Sequence, residues 1–187
     1  MKKLTWEVQY HSLPLVLKHC KKCGINTNFS CSKKFRVNAQ RKALDVWLIY
    51  KCLDCDTTWN ARVYSHISPQ SLNPAQLEGF QRNSQPLVEK YAMDSDFLYR
   101  NGVNKVEIPK YSIIGDDFLL NENIELEIKN QYPFLVKVST LVREKLHLSQ
   151  TVYLHLIENG NIRSVPEQDL RKCKLKNNIT LIFQSEY

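Results

Sequence analysis

Glycine is scarce in this chain, with five residues in 187. None of them belongs to a phosphate-cradling loop, and there is no His-Glu-x-x-His and no Gly-x-Ser-x-Gly, so the common signatures of nucleotide hydrolysis, zinc proteolysis and serine hydrolysis are missing. The deaminase pattern is missing too, since no His-x-Glu precedes a Pro-Cys-x-x-Cys. Few glycines, only seven prolines and no repeat or low-complexity tract argue against a long disordered tail. Long hydrophobic runs are also lacking. Leu13 to Leu17 is too short for a signal core or a membrane span, and Met1-Lys2-Lys3 leads into a mixed stretch from Leu4 to Ser12. A cytoplasmic location without a membrane partner is expected.

Cysteine, by contrast, is organised. Four of the six cysteines form two short pairs, Cys20-Lys21-Lys22-Cys23 and Cys52-Leu53-Asp54-Cys55. A two-residue spacer lets both sulfurs of a pair reach one ion, and zinc(II) accepts four soft thiolates in a tetrahedron, so each pair is half a site. The pairs are not expected to be thioredoxin-like redox motifs, which need a βαβ context, or disulfides, which need an oxidising compartment. Zn held by Cys20, Cys23, Cys52 and Cys55 is therefore the expected cofactor. Cys31 and Cys173 read as small apolar groups, and His19 and His66 as surface residues, although Cys31 or a histidine near the pairs could replace a ligand. Four protein ligands close the metal shell, whereas a catalytic zinc keeps a position open, so no enzyme is expected.

Charge divides the chain into three blocks. Residues 1–70 carry a balance of +8, residues 71–134 a balance of −4 and residues 135–187 a balance of +3, for a net +7. Basic ends around an acidic middle suit a polyanion partner, because clustered Lys and Arg attract phosphate and release its counterions.

Strand signals surround the cysteine pairs. Gly24 to Asn28 is rich in turn residues, Phe29 to Val37 alternates loosely, Asp45 to Lys51 is aromatic and β-branched and delivers Cys52, and Thr57 to Tyr64 reads as the returning strand. This strand, knuckle, strand order over residues 15 to 67 resembles a zinc ribbon. Trp47, Tyr50, Trp59 and Tyr64 could form a base-stacking platform beside Lys33, Lys34, Arg36, Arg41 and Lys42, but a small sheet has little else to bury, and packing over the metal is the preferred role for Trp47 and Trp59. Asn73-Pro74 then starts a helix, with Asn73 as cap, broken near Pro86 and followed by a short helix around Ser95 to Arg100. Val106 to Ile108, Tyr111 to Ile114 and Ile124 to Ile128 read as strands, and Asn130 to Pro133 marks a boundary.

The last fifty residues carry a second pattern. Val138, Leu141, Val142 and Leu146 form one amphipathic helix, Ser149 caps the next, Val152, Tyr153, Leu156 and Ile157 give it an apolar face, and Gly160 stands where a left-handed terminus is needed. Strands over Asn161 to Val165 and Asn178 to Phe183 follow. The run from Leu141-Val142 through Lys145-Leu146, Leu148-Ser149 and Leu156-Ile157 to Gly160 and Ile162 resembles the alpha-L RNA-binding motif of the ribosomal protein S-four type, over residues 136 to 183. It departs from that motif at Gln150, at Arg163-Ser164-Val165 and at Asn177-Asn178. The resemblance implies binding of structured RNA through shape and phosphate, with Arg143, Lys145, Arg163, Lys172 and Lys174 as the contact residues.

The whole chain also resembles a bacterial cysteine-rich family that carries only a domain-of-unknown-function label, which implies no activity. The fold class expected is α+β: a zinc-ribbon-like antiparallel sheet over 1–70, helices and strands over 71–134, and a small alpha-L-like α/β domain over 135–187. RNA is the expected partner. The alternative is a protein-interaction or regulatory adaptor with a structural zinc ribbon and no nucleic-acid role; neither reading has a small-molecule substrate.

Overall fold

The computed structural model describes residues 1–40, 43–132 and 134–185. Arg41 and Lys42 of the candidate stacking platform, and Pro133 of the expected boundary, lie outside the described residues. In chain order the elements are β1 (Lys2–Tyr10), β2 (Val16–Cys20), β3 (Ile25–Gln40), β4 (Ala43–Cys52), β5 (Thr58–Ile67), α1 (Pro74–Gln81), α2 (Gln85–Ala92), α3 (Ser95–Arg100), β6 (Lys105–Val106), β7 (Tyr111–Ile114), β8 (Ile124–Asn130), β9 (Val136–Lys137), α4 (Val138–Lys145), α5 (Gln150–Glu158), β10 (Ile162–Val165), β11 (Lys174–Leu175) and β12 (Asn178–Phe183). The class is α+β, as the patterning predicts. Among the described residues no helix is long and apolar enough to cross a membrane.

The chain divides into two compact units, one formed by Ser12–Pro109 and the other by Met1–His11 together with the chain from Lys110 onward. This partition differs from the blocks 1–70, 71–134 and 135–187, which follow charge and turn residues. The difference arises because β1 pairs in parallel with β8 and antiparallel with β7, a long-range pairing that local composition does not register.

In the 12–109 unit the sheet runs β5-β4-β3-β2-β6. Period-two alternation sorts β4 into a buried row of Leu44, Val46, Leu48, Tyr50 and Cys52 and a half-buried row that includes Asp45, Trp47 and Ile49. The helices cover the buried row: Leu72 and Phe80 join Leu44 and Val46, with Leu77, Leu87 and Tyr91 around them. Asn73 caps α1 by accepting from Ala75 N at 2.9 Å, and Pro74 takes its first position. Pro86, read as a helix breaker, lies in the first turn of α2, where its missing N–H is no loss. β3 shifts register between Cys31 and Phe35, with Lys33 at φ 60°. The irregularity is stitched by Asn83 Oδ1, which accepts from Phe35 N at 2.6 Å, and by Ser32 Oγ, which donates to Ile49 O at 2.8 Å.

In the other unit the sheet runs β10-β12-β8-β1-β7. Ile124, Leu126 and Ile128 of β8 share a buried face with Trp6, Leu181 and Phe183. Trp6 Nε1 donates to Asp116 O at 2.9 Å, and Phe118 packs between Trp6 and Phe183 with centroid distances of 5.7 and 4.8 Å. Gly115 is required here: its φ is +139°, and a Cβ would strike Thr5 O and the Trp6 side chain. Ser149 caps α5 as expected, accepting from Val152 N at 3.2 Å, and Gly160 adopts φ +76°.

Candidate metal centre

Each cysteine pair occupies a turn of the same construction. β2 ends on Cys20, the chain reverses, and Gly24 N donates back to Cys20 O at 2.8 Å with Gly24 at φ +74°. β4 ends on Cys52, and Asp56 N donates back to Cys52 O at 3.0 Å with Asp56 at φ +59°. A left-handed residue one place after the second cysteine closes each loop, at no cost for Gly24 and at a tolerable cost for an aspartate. The two loops are tied together by Leu53 N, which donates to Asn28 O at 2.9 Å, and by Thr27 Oγ1, which donates to Asp54 Oδ2. Lys51 pairs with Asp56 at 2.9 Å on the outer side.

These turns bring the four sulfurs within 4.8 Å of one another. Cys20 and Cys55 lie 3.6 Å apart and Cys23 and Cys52 3.9 Å apart. A tetrahedron with metal–sulfur bonds of about 2.3 Å has edges of about 3.8 Å, so these spacings suit an ion at the centre. They are far longer than a disulfide bond of about 2.05 Å, and all six cysteines are free. The four cysteines can hold a metal ion. Cys20 and Cys52 are buried and extend the apolar cluster of Phe29, Tyr50 and Phe97 to the site, which shields it on that side.

Electrostatics favour a cation. Hydrogen bonding to the Thr57 hydroxyl, and then to its backbone amide, draws the Cys55 thiol down from 9.0 to about 6. Hydrogen bonding with Cys55, followed by burial and the other two cysteines, pushes the Cys23 thiol up. Four sulfurs so close cannot all ionise against one another, and a bound cation removes that conflict.

Cys31, Cys173, His19 and His66 are not members of that cluster, and His19 is exposed on β2 beside Cys20. Cys31 Sγ accepts from Lys33 N at 3.4 Å, Cys173 donates to Gln168 Oε1 at 3.1 Å, and His66 engages Asp45. The aromatic residues separate by face. Trp59 packs as expected, 5.0 Å from Tyr50 and 6.1 Å from Phe29, with Lys18 Nζ 4.7 Å from its centroid. Trp47 does not join that packing; it stands in the opposite row of β4, a placement that parity with Cys52 could have revealed.

The five basic residues of the C-terminal segment also divide. Arg143 is committed internally, donating to Leu148 O at 3.3 Å and to Gln150 Oε1 at 2.7 Å, and Lys145 pairs with Asp117 at 2.8 Å. Arg163, Lys172 and Lys174 are exposed and have no ion pair among the described residues. Lys174 stands directly opposite Lys137 in the β9–β11 ladder, and Lys176 is exposed close by in sequence. Charge and register together find Lys137, which the motif comparison did not include.

Residues 37–168, more than two thirds of the chain, match the family described as protein of unknown function DUF1062, and the chain belongs to that family. The match takes in Cys52 and Cys55 and begins beyond Cys20 and Cys23. No curated protein and no solved structure matches the chain.

Proposed function

We propose that the protein is a non-enzymatic RNA-binding protein of the bacterial cytoplasm, with a structural zinc(II) in a zinc-ribbon-type site. The supports for zinc are the all-sulfur donor set, the near-tetrahedral spacing and the two matching turns. Four protein ligands leave no position for a reacting water, so the ion's work is to clasp β2, β3, β4 and β5 at one end.

The observation that carries RNA binding is the basic edge around β9 and β11. Like charges directly opposite on an antiparallel ladder repel, and Lys137 faces Lys174 with Lys172 and Lys176 nearby. A polyanion relieves that repulsion, and the two helices before β10 follow the order of the alpha-L motif. Lys172, Lys174 and Arg163 make the phosphate contacts in this reading, while Arg143 holds the α4–α5 corner in shape and Lys145 ties α4 to the β7–β8 connection through Asp117.

The test is a titration of a structured RNA hairpin across a salt series. Affinity falls with salt, and Lys172→Ala combined with Lys174→Ala weakens binding and lowers the slope by about 1 per lysine. Binding that ignores salt, or no binding at low ionic strength, overturns the reading. Protein partners that survive nuclease treatment, in the absence of RNA binding, would replace it with the adaptor.

A further inference from the structure

The face of the 12–109 sheet that the helices leave uncovered carries an ordered row of side chains. Register places Arg36 of β3 and Arg62 of β5 each directly opposite Trp47 of β4. Residues paired across strands project to the same side, so the row reads Arg, Trp, Arg. With neighbouring strands about 4.8 Å apart, the two arginines flank the indole at positions on the order of 10 Å from each other. Arg36 Cζ lies 5.9 Å from the Trp47 ring centroid. The next residue of each strand points the other way: Leu48, with Phe35 and Ala61 opposite it, turns toward the core.

Apart from Arg36 lying over the Trp47 ring, the row has no ion pair of its own among the described residues. Arg36 and Arg62 are exposed. Asp45, two residues from Trp47 on the same face, is already engaged by His66, whose backbone N donates to it at 2.9 Å. Beside the row a cleft of about 550 Å³ is lined by Trp47, Arg62, Arg100 and Asn101, among others. Asn101 also decides what kind of partner fits. Its side-chain Oδ1 accepts from Arg62 N at 2.6 Å and its Nδ2 donates to Arg62 O at 3.2 Å. The backbone of the edge strand is thereby satisfied at this point, which disfavours a protein partner adding a strand there.

What stays available is one aromatic face flanked by planar cations. An unpaired base stacks on such a ring, and guanidinium groups grip the phosphates on either side of it bidentately. A duplex keeps its bases stacked on each other and has no use for the indole. We propose that this face binds single-stranded RNA, with an unpaired base on Trp47 and its flanking phosphates on Arg36 and Arg62. The proposal rests on the RNA-binding reading above for the class of partner, but it uses other residues in the other unit.

The experiment uses the full zinc-loaded chain and two fluorescent probes, an unstructured oligouridylate of about ten nucleotides and a structured hairpin. The oligouridylate is expected to bind at about 50 mM salt, and Trp47→Ala to weaken that binding roughly 5- to 150-fold. Arg36→Gln with Arg62→Gln changes only exposed side chains, so it tests the site without threatening the fold; it should lower the salt slope by about 1.4. Both changes should leave hairpin affinity within about 2-fold, while the Lys172/Lys174 substitutions should do the reverse. Hairpin binding with no oligouridylate binding, or oligouridylate binding unchanged in both Trp47 and arginine variants, overturns this inference and leaves the C-terminal reading standing. Oligouridylate binding that depends on Trp47 without any hairpin binding supports it and overturns the other. Uridine monophosphate competing as well as the oligomer would overturn the assignment to a single strand.

Discussion

The two units of this protein each rest on a five-stranded sheet, but they close it by different means. The 12–109 sheet has helices over one face and gathers the ends of β2 and β4 at four cysteines, so two of its core positions, Cys20 and Cys52, are also candidate metal ligands. The other sheet has no such cluster among the described residues and is centred on Trp6, Ile124, Leu126, Ile128 and Phe183. In the proposed reading a metal ion adds to apolar burial in the first unit; the other depends on burial and on a parallel pairing between the chain start and β8. The difference predicts that the two units fail separately and for different reasons.

The largest effect follows from removing a ligand. Cys52→Ser should abolish about 10 to 16 kcal/mol of apparent metal binding, comparable to the whole stability of a domain at about 5 to 15 kcal/mol. In hydrogen exchange, amides of β2 to β5 should lose protection while those of β8 and β12 keep theirs; uniform loss would break the comparison. Next in size, Trp6→Ala should cost about 3 to 5 kcal/mol and act on β1, β8 and β12 alone, read as a lowered denaturation midpoint with the metal retained. Removing the α1 cap with Asn73→Ala should cost about 1 kcal/mol and appear as faster exchange at Ala75 to Leu77.

A further effect, confined to alkaline solution, is a pH dependence. Burial raises Tyr10 to about 12 against the pull of its hydrogen bond to Asn130, and burial followed by the Glu144 charge raises Tyr111 to about 12. A folded-state value above the unfolded 10.0 means that the fold favours the neutral phenol. That contribution is complete below pH 10 and is lost as pH rises from 10 to about 12. Phenolate absorbance should show these two side chains ionising late, and early ionisation would show that they are not packed.

Local chemistry was legible from the sequence, and long-range pairing was not. The cysteine spacing, the Asn73 and Ser149 caps and the strict alternation of Ile124 to Ile128 each depend on neighbours a few residues away, and each appears in the fold. β1 does not stand out as a strand in the sequence because Trp6 and Val8 acquire their meaning only beside Ile128 and Asn130, over a hundred residues later. The contrast between Trp47 and Trp59 has a similar origin: composition makes them alike, and only register puts one against Tyr50 and the other between two arginines. Arg143 and Lys145 matched a motif by position, but their partners Leu148, Gln150 and Asp117 show what their charges do in the folded chain.

The account stands on one ion shared by two turns. Native mass spectrometry of the purified full chain, paired with elemental analysis, tests this most directly. The prediction is one zinc per chain, lost on Cys20→Ser or Cys52→Ser alike, since either substitution breaks the same site. Metal-free folded protein, or a zinc retained at full occupancy after either substitution, would contradict it.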